Sequence, residues 1–131
     1  MSVSMFKKNK ITSSPRTISF IIMGFEEGDF ILDPQYQRDY VWKEEQQQNL
    51  IHSLFNNRPV GSFALIEKEM SGSGGYIEIV DGKQRMTTLW KYFNNEFPYI
   101  CPITLKKVYF RDLSVFDQRT FKNTTTISVN T

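Results

Sequence analysis

Ile77-Glu78-Ile79-Val80-Asp81-Gly82-Lys83-Gln84-Arg85-Met86-Thr87-Thr88-Leu89-Trp90 decides how the chain is read. Tyr76 to Val80 is rich in β-branched residues and reads as a strand. Asp81-Gly82 makes a turn. From Gln84 or Arg85 to Asn95 the apolar residues Met86, Leu89, Trp90 and Phe93 share one face of a helix. Strand, glycine turn and helix start, in that order, form a place where an anion is welcome. The first N–H groups of a helix have no partner within it and point outward. The helix dipole adds to their attraction for negative charge. Gly82 lets the backbone approach a phosphate with no Cβ in the way. Lys83 and Arg85 add charge, and Arg85 offers a bidentate fork. Asp81 is suited to hold a divalent ion such as Mg²⁺ or to position a water. Thr87 and Thr88 offer hydroxyls. The plainer reading is a left-handed turn with a capping Asp and two solvated cations, and these residues alone do not separate the two. The stretch is not a Walker A loop, since the spaced glycines and the Lys-Ser/Thr pair are absent.

Upstream, Gln35-Tyr36-Gln37-Arg38-Asp39-Tyr40-Val41-Trp42 is polar and aromatic together, has no clear period, and reads as a loop. Arg38 can clamp a phosphate, with Gln37 beside it, while Tyr36 or Tyr40 stacks on a base. Trp42 reads instead as part of a staple that ties the next helix to the core. That helix spans Lys43 to Asn56, with Leu50, Ile51, Leu54 and Phe55 as its apolar stripe. Glu44 to Gln48 is its solvated start, and Glu44 and Glu45 suit the dipole. Asn57 is the expected left-handed stop, followed by Pro59. Nearer the N-terminus, Thr17 is placed to cap a helix carrying Ile18, Ile21, Ile22 and Phe25 on one face. Ser62 to Glu67 reads as a strand and Met70 to Gly75 as a Gly/Ser loop. Beyond Pro98 the pattern weakens. Lys107 to Phe110 suggests a strand, Arg111 to Phe121 a short helix, and the Thr-rich tail from Asn123 to Thr131 a strand or an open end. The order of helix, loop, helix, strand, strand and helix belongs to a small α+β or α/β domain.

The totals bound what this domain does. The chain has 131 residues, 40% hydrophobic and 15% aromatic, enough for one core without staples. Residues 1–12 read as a flexible basic arm and 13–131 as a single domain. A net charge of +2 and a pI of about 8.7 leave polyanion binding to a local patch. With one cysteine and one histidine, an intramolecular disulfide and a Cys/His zinc site are both excluded. A reducing, cytoplasmic setting is expected. No signal peptide and no membrane-length apolar run are present. His52 reads as a packed or surface residue, and Cys101 as a small buried hydrophobe. Glu26 and Glu27 have no carboxylate partner for acid/base work.

Pro34 to Trp42, then a helix, then Arg58-Pro59-Val60-Gly61, then Ile79 to Leu89 together resemble the N-terminal domain of GmrSD-type modification-dependent restriction endonucleases. That family belongs to the ParB/sulfiredoxin-like superfamily. The resemblance runs from about Ile18 to the end of the chain. It implies a small α+β fold, a short mixed sheet flanked by helices. The family's core is Asp-Gly-Gln-Gln-Arg. Asp81, Gly82, Gln84 and Arg85 match it, while Lys83 replaces the first Gln, keeping a polar reach and adding charge. The resemblance implies nucleoside triphosphate binding and hydrolysis at this motif, for which Asp81 would serve Mg²⁺ or the attacking water. Asp81, Gln84 and Arg85 would be catalytic, and Gln37, Arg38, Gly82, Lys83, Arg85, Thr87 and Thr88 would hold phosphate. It also implies action on phage DNA, with cleavage carried by an HNH nuclease module or partner. One His cannot supply that module, so the chain is not expected to be a complete nuclease, and the domain is expected to be truncated relative to the family. The alternative is a non-catalytic module that binds DNA or protein through the same basic turn, as a decoy or regulator of a full-length relative.

Overall fold

A computed structural model describes residues 12–30, 40–69 and 75–130. Its elements run β1 (Thr12–Thr17), α1 (Ile18–Glu26), α2 (Glu44–Phe55), β2 (Ser62–Glu69), β3 (Gly75–Asp81) and α3 (Lys83–Phe93). They continue with β4 (Tyr99–Ile100), β5 (Lys107–Val108), a 3-10 turn (Phe110–Asp112), α4 (Val115–Asn123) and β6 (Thr125–Asn130). The main sheet has the order β1-β6-β2-β3. β1 and β6 are antiparallel, β6 and β2 parallel, and β2 and β3 antiparallel. The sheet is therefore mixed and the class is α+β, as expected. A small antiparallel pair, β4 and β5, stands apart from it.

The two ends of the chain meet in this sheet. The Thr-rich tail is a strand, and it lies inside the sheet between β1 and β2. Thr125 and Thr126 favour extended backbone because they are branched at Cβ. The Thr126 hydroxyl donates to the Arg16 carbonyl at 3.0 Å. β1 was not expected, because Pro15 interrupts it. A proline cannot donate to a ladder, which confines such a strand to an edge, and β1 is the edge strand. Thr17 runs from this strand directly into α1. Its backbone is extended and its side chain makes no capping hydrogen bond, in contrast to the expected cap. Asn57 does end α2 in the left-handed region, at φ 56°.

The glutamines of α2 do more than face solvent. Gln46 Oε1 accepts from the Lys43 N–H at 2.7 Å and caps the helix. Gln48 donates to the Pro98 carbonyl at 2.6 Å and accepts from the Ile100 N–H at 2.8 Å, fixing the start of β4. Gln47 reaches the Tyr40 hydroxyl at 2.9 Å. Only Gln48 reaches far along the chain, while Gln46 and Gln47 bond three and seven positions upstream. His52 is a packed residue, as expected, with Nδ1 2.7 Å from the Tyr99 hydroxyl.

Ile18, Ile21, Ile51, Phe63, Met86, Leu89 and Tyr92 form the closed centre of the core. Tyr92 anchors its aromatic side, meeting Phe55, Phe97, Phe110 and Phe121. Its hydroxyl donates to the Val108 carbonyl at 3.0 Å. Burial, with Asp112 adding to it, pushes this phenol well above its ordinary range. Tyr92→Ala is expected to lower stability by ~3–5 kcal/mol, and Tyr92→Phe by about 1, in denaturant titrations. A Tyr92→Ala loss below 1 kcal/mol would show that the aromatic cluster closes without it.

Candidate functional site

β3 delivers its last residue to the site through an irregularity. Ala64 pairs with Asp81 but Leu65 pairs with Ile79, so the register shifts across Val80. In strict alternation Asp81 would share the inward face of buried Ile79. The bulge turns it outward instead, and both Val80 and Asp81 are exposed. Bulges re-aim a side chain and recur beside functional sites. Gly82 then takes φ 94° as the N-cap of α3, which begins at Lys83, one or two residues before the expected start at Gln84 or Arg85. Phe63 lies directly beneath Gly82, so an added Cβ would meet its ring. Glycine is therefore required twice here, for its φ and for its lack of volume.

Asp81, Gly82, Lys83, Gln84 and Arg85 line one open hollow with Val80 and Trp42, with a volume of about 390 Å³. No acidic residue lies in the first turn of α3 to offset its positive end. Asp81 and Lys83 are exposed, and Gln84 and Arg85 are half-buried.

Three of the expected ligand-facing side chains are occupied by the protein itself. Arg85 Nη1 donates to the Val60 carbonyl at 2.6 Å and Nη2 to the Ser62 carbonyl at 2.8 Å. Its guanidinium lies 5.1 Å from the Phe63 ring centroid. Two of its five N–H groups thus tie α3 to the start of β2. Gln84 Oε1 accepts from the Val41 N–H at 2.9 Å and the Trp42 N–H at 3.2 Å. Thr88 is fully buried and its hydroxyl donates to the Gln84 carbonyl at 2.6 Å. The Tyr40 hydroxyl lies 2.8 Å from the same Thr88 oxygen. The relay therefore runs from Gln47 through Tyr40 and Thr88 to the Gln84 carbonyl. Thr88 is a link inside the protein, where the sequence suggested a phosphate donor. Thr87 is half-buried on the next position of α3. Tyr36, Gln37 and Arg38 lie outside the described residues.

Gly61 supports this arrangement from the other side. Its φ is 89°, and an added Cβ would collide with Arg85 Nη1. Gly61→Ala is expected to cost about 1–2 kcal/mol in backbone strain alone, with displacement of Arg85 on top. In an Arg85→Ala background only the strain should remain. Equal losses of melting temperature in both backgrounds would show that Gly61 and Arg85 are uncoupled.

Cys101 differs from the expected buried hydrophobe. It is half-exposed at the tight turn after β4. Hydrogen bonds from the Thr104 side chain, then from the Thr104 and Ile103 backbones, hold its thiol below the ordinary range. It lies on a second groove, of about 480 Å³, with Leu54, Tyr99 and Phe121 among its walls, away from the Asp81 hollow. Among the described residues no helix is long and apolar enough to cross a membrane. No group of three or more His, Cys, Asp or Glu among them is placed to hold a metal ion.

The family model for the GmrSD restriction endonuclease, N-terminal domain, matches residues 18–130. Neither a curated protein nor a solved structure matches the chain.

Proposed function

Because the chain belongs to the GmrSD restriction endonuclease N-terminal domain family, we propose that it is the nucleotide-binding domain of a DNA restriction and phage-defence system, its nucleoside triphosphate held on the Asp81–Arg85 turn. The observation that carries this reading is the Gly82 turn. It opens α3 into a solvent-reached hollow with Asp81 and Lys83 exposed beside it. The N–H groups of the first turn and Lys83 suit the phosphates. Asp81, turned outward by the bulge, suits Mg²⁺ or the attacking water. Gln84 and Arg85 hold the walls of the hollow through their side chains, and a transferring phosphate would meet the three guanidinium N–H groups of Arg85 not used on Val60 and Ser62. Thr87, Gln37 and Arg38 are assigned to the phosphates on their residue types. The nuclease chemistry would come from an HNH module or partner, and the DNA would be met by the assembled system.

The test is a titration of the purified chain with ATP, GTP, CTP and UTP in the presence of Mg²⁺, following melting temperature and released phosphate. A melting shift with phosphate release is the expected result for an NTPase. A shift without release would make the domain a nucleotide sensor. No shift with any of the four would overturn the nucleotide reading.

A second reading, a non-catalytic module for DNA or protein, draws on one observation. The Arg85 fork is spent on the Val60 and Ser62 carbonyls, leaving the basic turn a plainer phosphate grip. DNA binding that falls steeply with salt and ignores nucleotide would favour it.

A further inference from the structure

Among the described residues, the aromatic that lines the hollow beside Asp81 is Trp42. Trp42 is half-buried, packs against the core and also lines the hollow. Its backbone is fixed to the site, since Gln84 Oε1 accepts from the N–H groups of both Val41 and Trp42. Gln84 is the second residue of α3, next to Lys83, so the ring and the phosphate-facing turn are held in one frame. The Thr88 hydroxyl on the Gln84 carbonyl, backed by Tyr40 and Gln47, stiffens that frame further.

Tyr40, the ring that the sequence marked for stacking, is placed differently. Its hydroxyl is engaged by Gln47 and Thr88, and the Lys91 ammonium lies 4.9 Å from its ring centroid. It does not line the hollow.

From these contacts we infer that Trp42 is the ring on which the base of a bound nucleotide stacks, with Gln84 as the positioning residue that holds Trp42 at the hollow. The inference rests on the nucleotide reading above and adds the base-recognising surface to it. Stacking on an indole accepts any base, because every base has a π-face. The domain should therefore discriminate weakly among the four nucleotides and strongly between a nucleotide and a bare polyphosphate.

The experiment uses the full chain with Trp90→Phe. Trp90 lies between Phe25 and Phe93 and does not line the hollow, and its replacement leaves Trp42 as the sole indole. ATP and inorganic triphosphate are each titrated with Mg²⁺. Calorimetry reads binding, and tryptophan emission reads contact with the ring. ATP is expected to bind and quench the emission, while inorganic triphosphate binds without quenching. In the chain that keeps Trp90, Trp42→Leu is expected to weaken ATP about ten-fold or more and to leave inorganic triphosphate within about two-fold. If that variant fails to fold, the quenching experiment stands without it, and Trp42→Phe should give a smaller loss confined to ATP. Gln84→Ala is expected to raise the access of acrylamide to Trp42 in the ligand-free protein. ATP binding with unchanged emission would overturn the inference and leave the nucleotide reading intact. So would equal weakening of both ligands by Trp42→Leu. An absence of binding by either ligand would overturn both.

Discussion

Asp81→Asn is expected to reduce phosphate release by on the order of 100-fold or more, while the melting temperature stays within about 2 °C. The substitution keeps the shape of the side chain and removes its charge. Asp81 is exposed and closes β3 at the bulge, so its backbone pairing with Ala64 survives the change. What is lost is the anionic oxygen that would ligate Mg²⁺ or take up a proton from water. Binding should respond differently from turnover. Nucleotide alone meets one negative charge fewer in the variant, so its affinity without Mg²⁺ should hold or rise. The extra affinity gained on adding Mg²⁺ should shrink. Phosphate release and calorimetry with and without Mg²⁺ read the two effects separately. Unchanged turnover would remove Asp81 from the chemistry. A large fall in melting temperature would show that the bulge depends on the carboxylate.

The parts of this molecule that were legible in its sequence are those set by neighbours along the chain. A strand, a glycine and an amphipathic helix follow one another from Gly75 to Phe93, and each step is local. The stop at Asn57 is local too. The family resemblance is a matter of motif order, and the family match covers the same stretch. What was not legible is pairing over distance. β1 and β6 sit at opposite ends of the chain and define half of the main sheet, yet Pro15 disguises the first, and nothing near the second, expected as a strand or an open end, tells which strands it joins. The outward turn of Asp81 depends on a register shift between β2 and β3, which no spacing within either strand reveals. Thr88 and Gln84 read as ligand groups because they flank a basic turn. Their actual partners are Tyr40 and the N–H groups of residues 41 and 42, more than forty positions upstream. Sequence reasoning placed the strand, the glycine turn and the helix, but it could not separate the side chains that line the hollow from those bonded within the protein.

Arg85 is where that difference has the largest consequence. Arg85→Ala is expected to cost roughly 2 kcal/mol, lowering the melting temperature by about 5–10 °C. The change removes two hydrogen bonds from a charged donor, to the Val60 and Ser62 carbonyls, and the cation–π contact with Phe63. The half-exposed position lets water satisfy part of what is lost, which keeps the estimate at the low end. Arg85→Lys should recover a minor part, because an ammonium is a point donor and cannot fork between two carbonyls. A loss of nucleotide binding in Arg85→Ala therefore has two sources, a missing phosphate contact and a loosened Gly61–Ser62 segment. The lysine variant separates them. It keeps the positive charge while losing the fork, so it retains affinity if charge at the phosphate is what matters. It loses affinity together with the alanine variant if the placement of α3 against β2 is what matters. Both affinities are to be measured at least 15 °C below the alanine variant's midpoint, on the order of twice the expected shift, so that unfolding does not enter. An alanine variant as stable as the parent would show that the two carbonyl contacts contribute nothing, and would return Arg85 to the role of a free phosphate ligand.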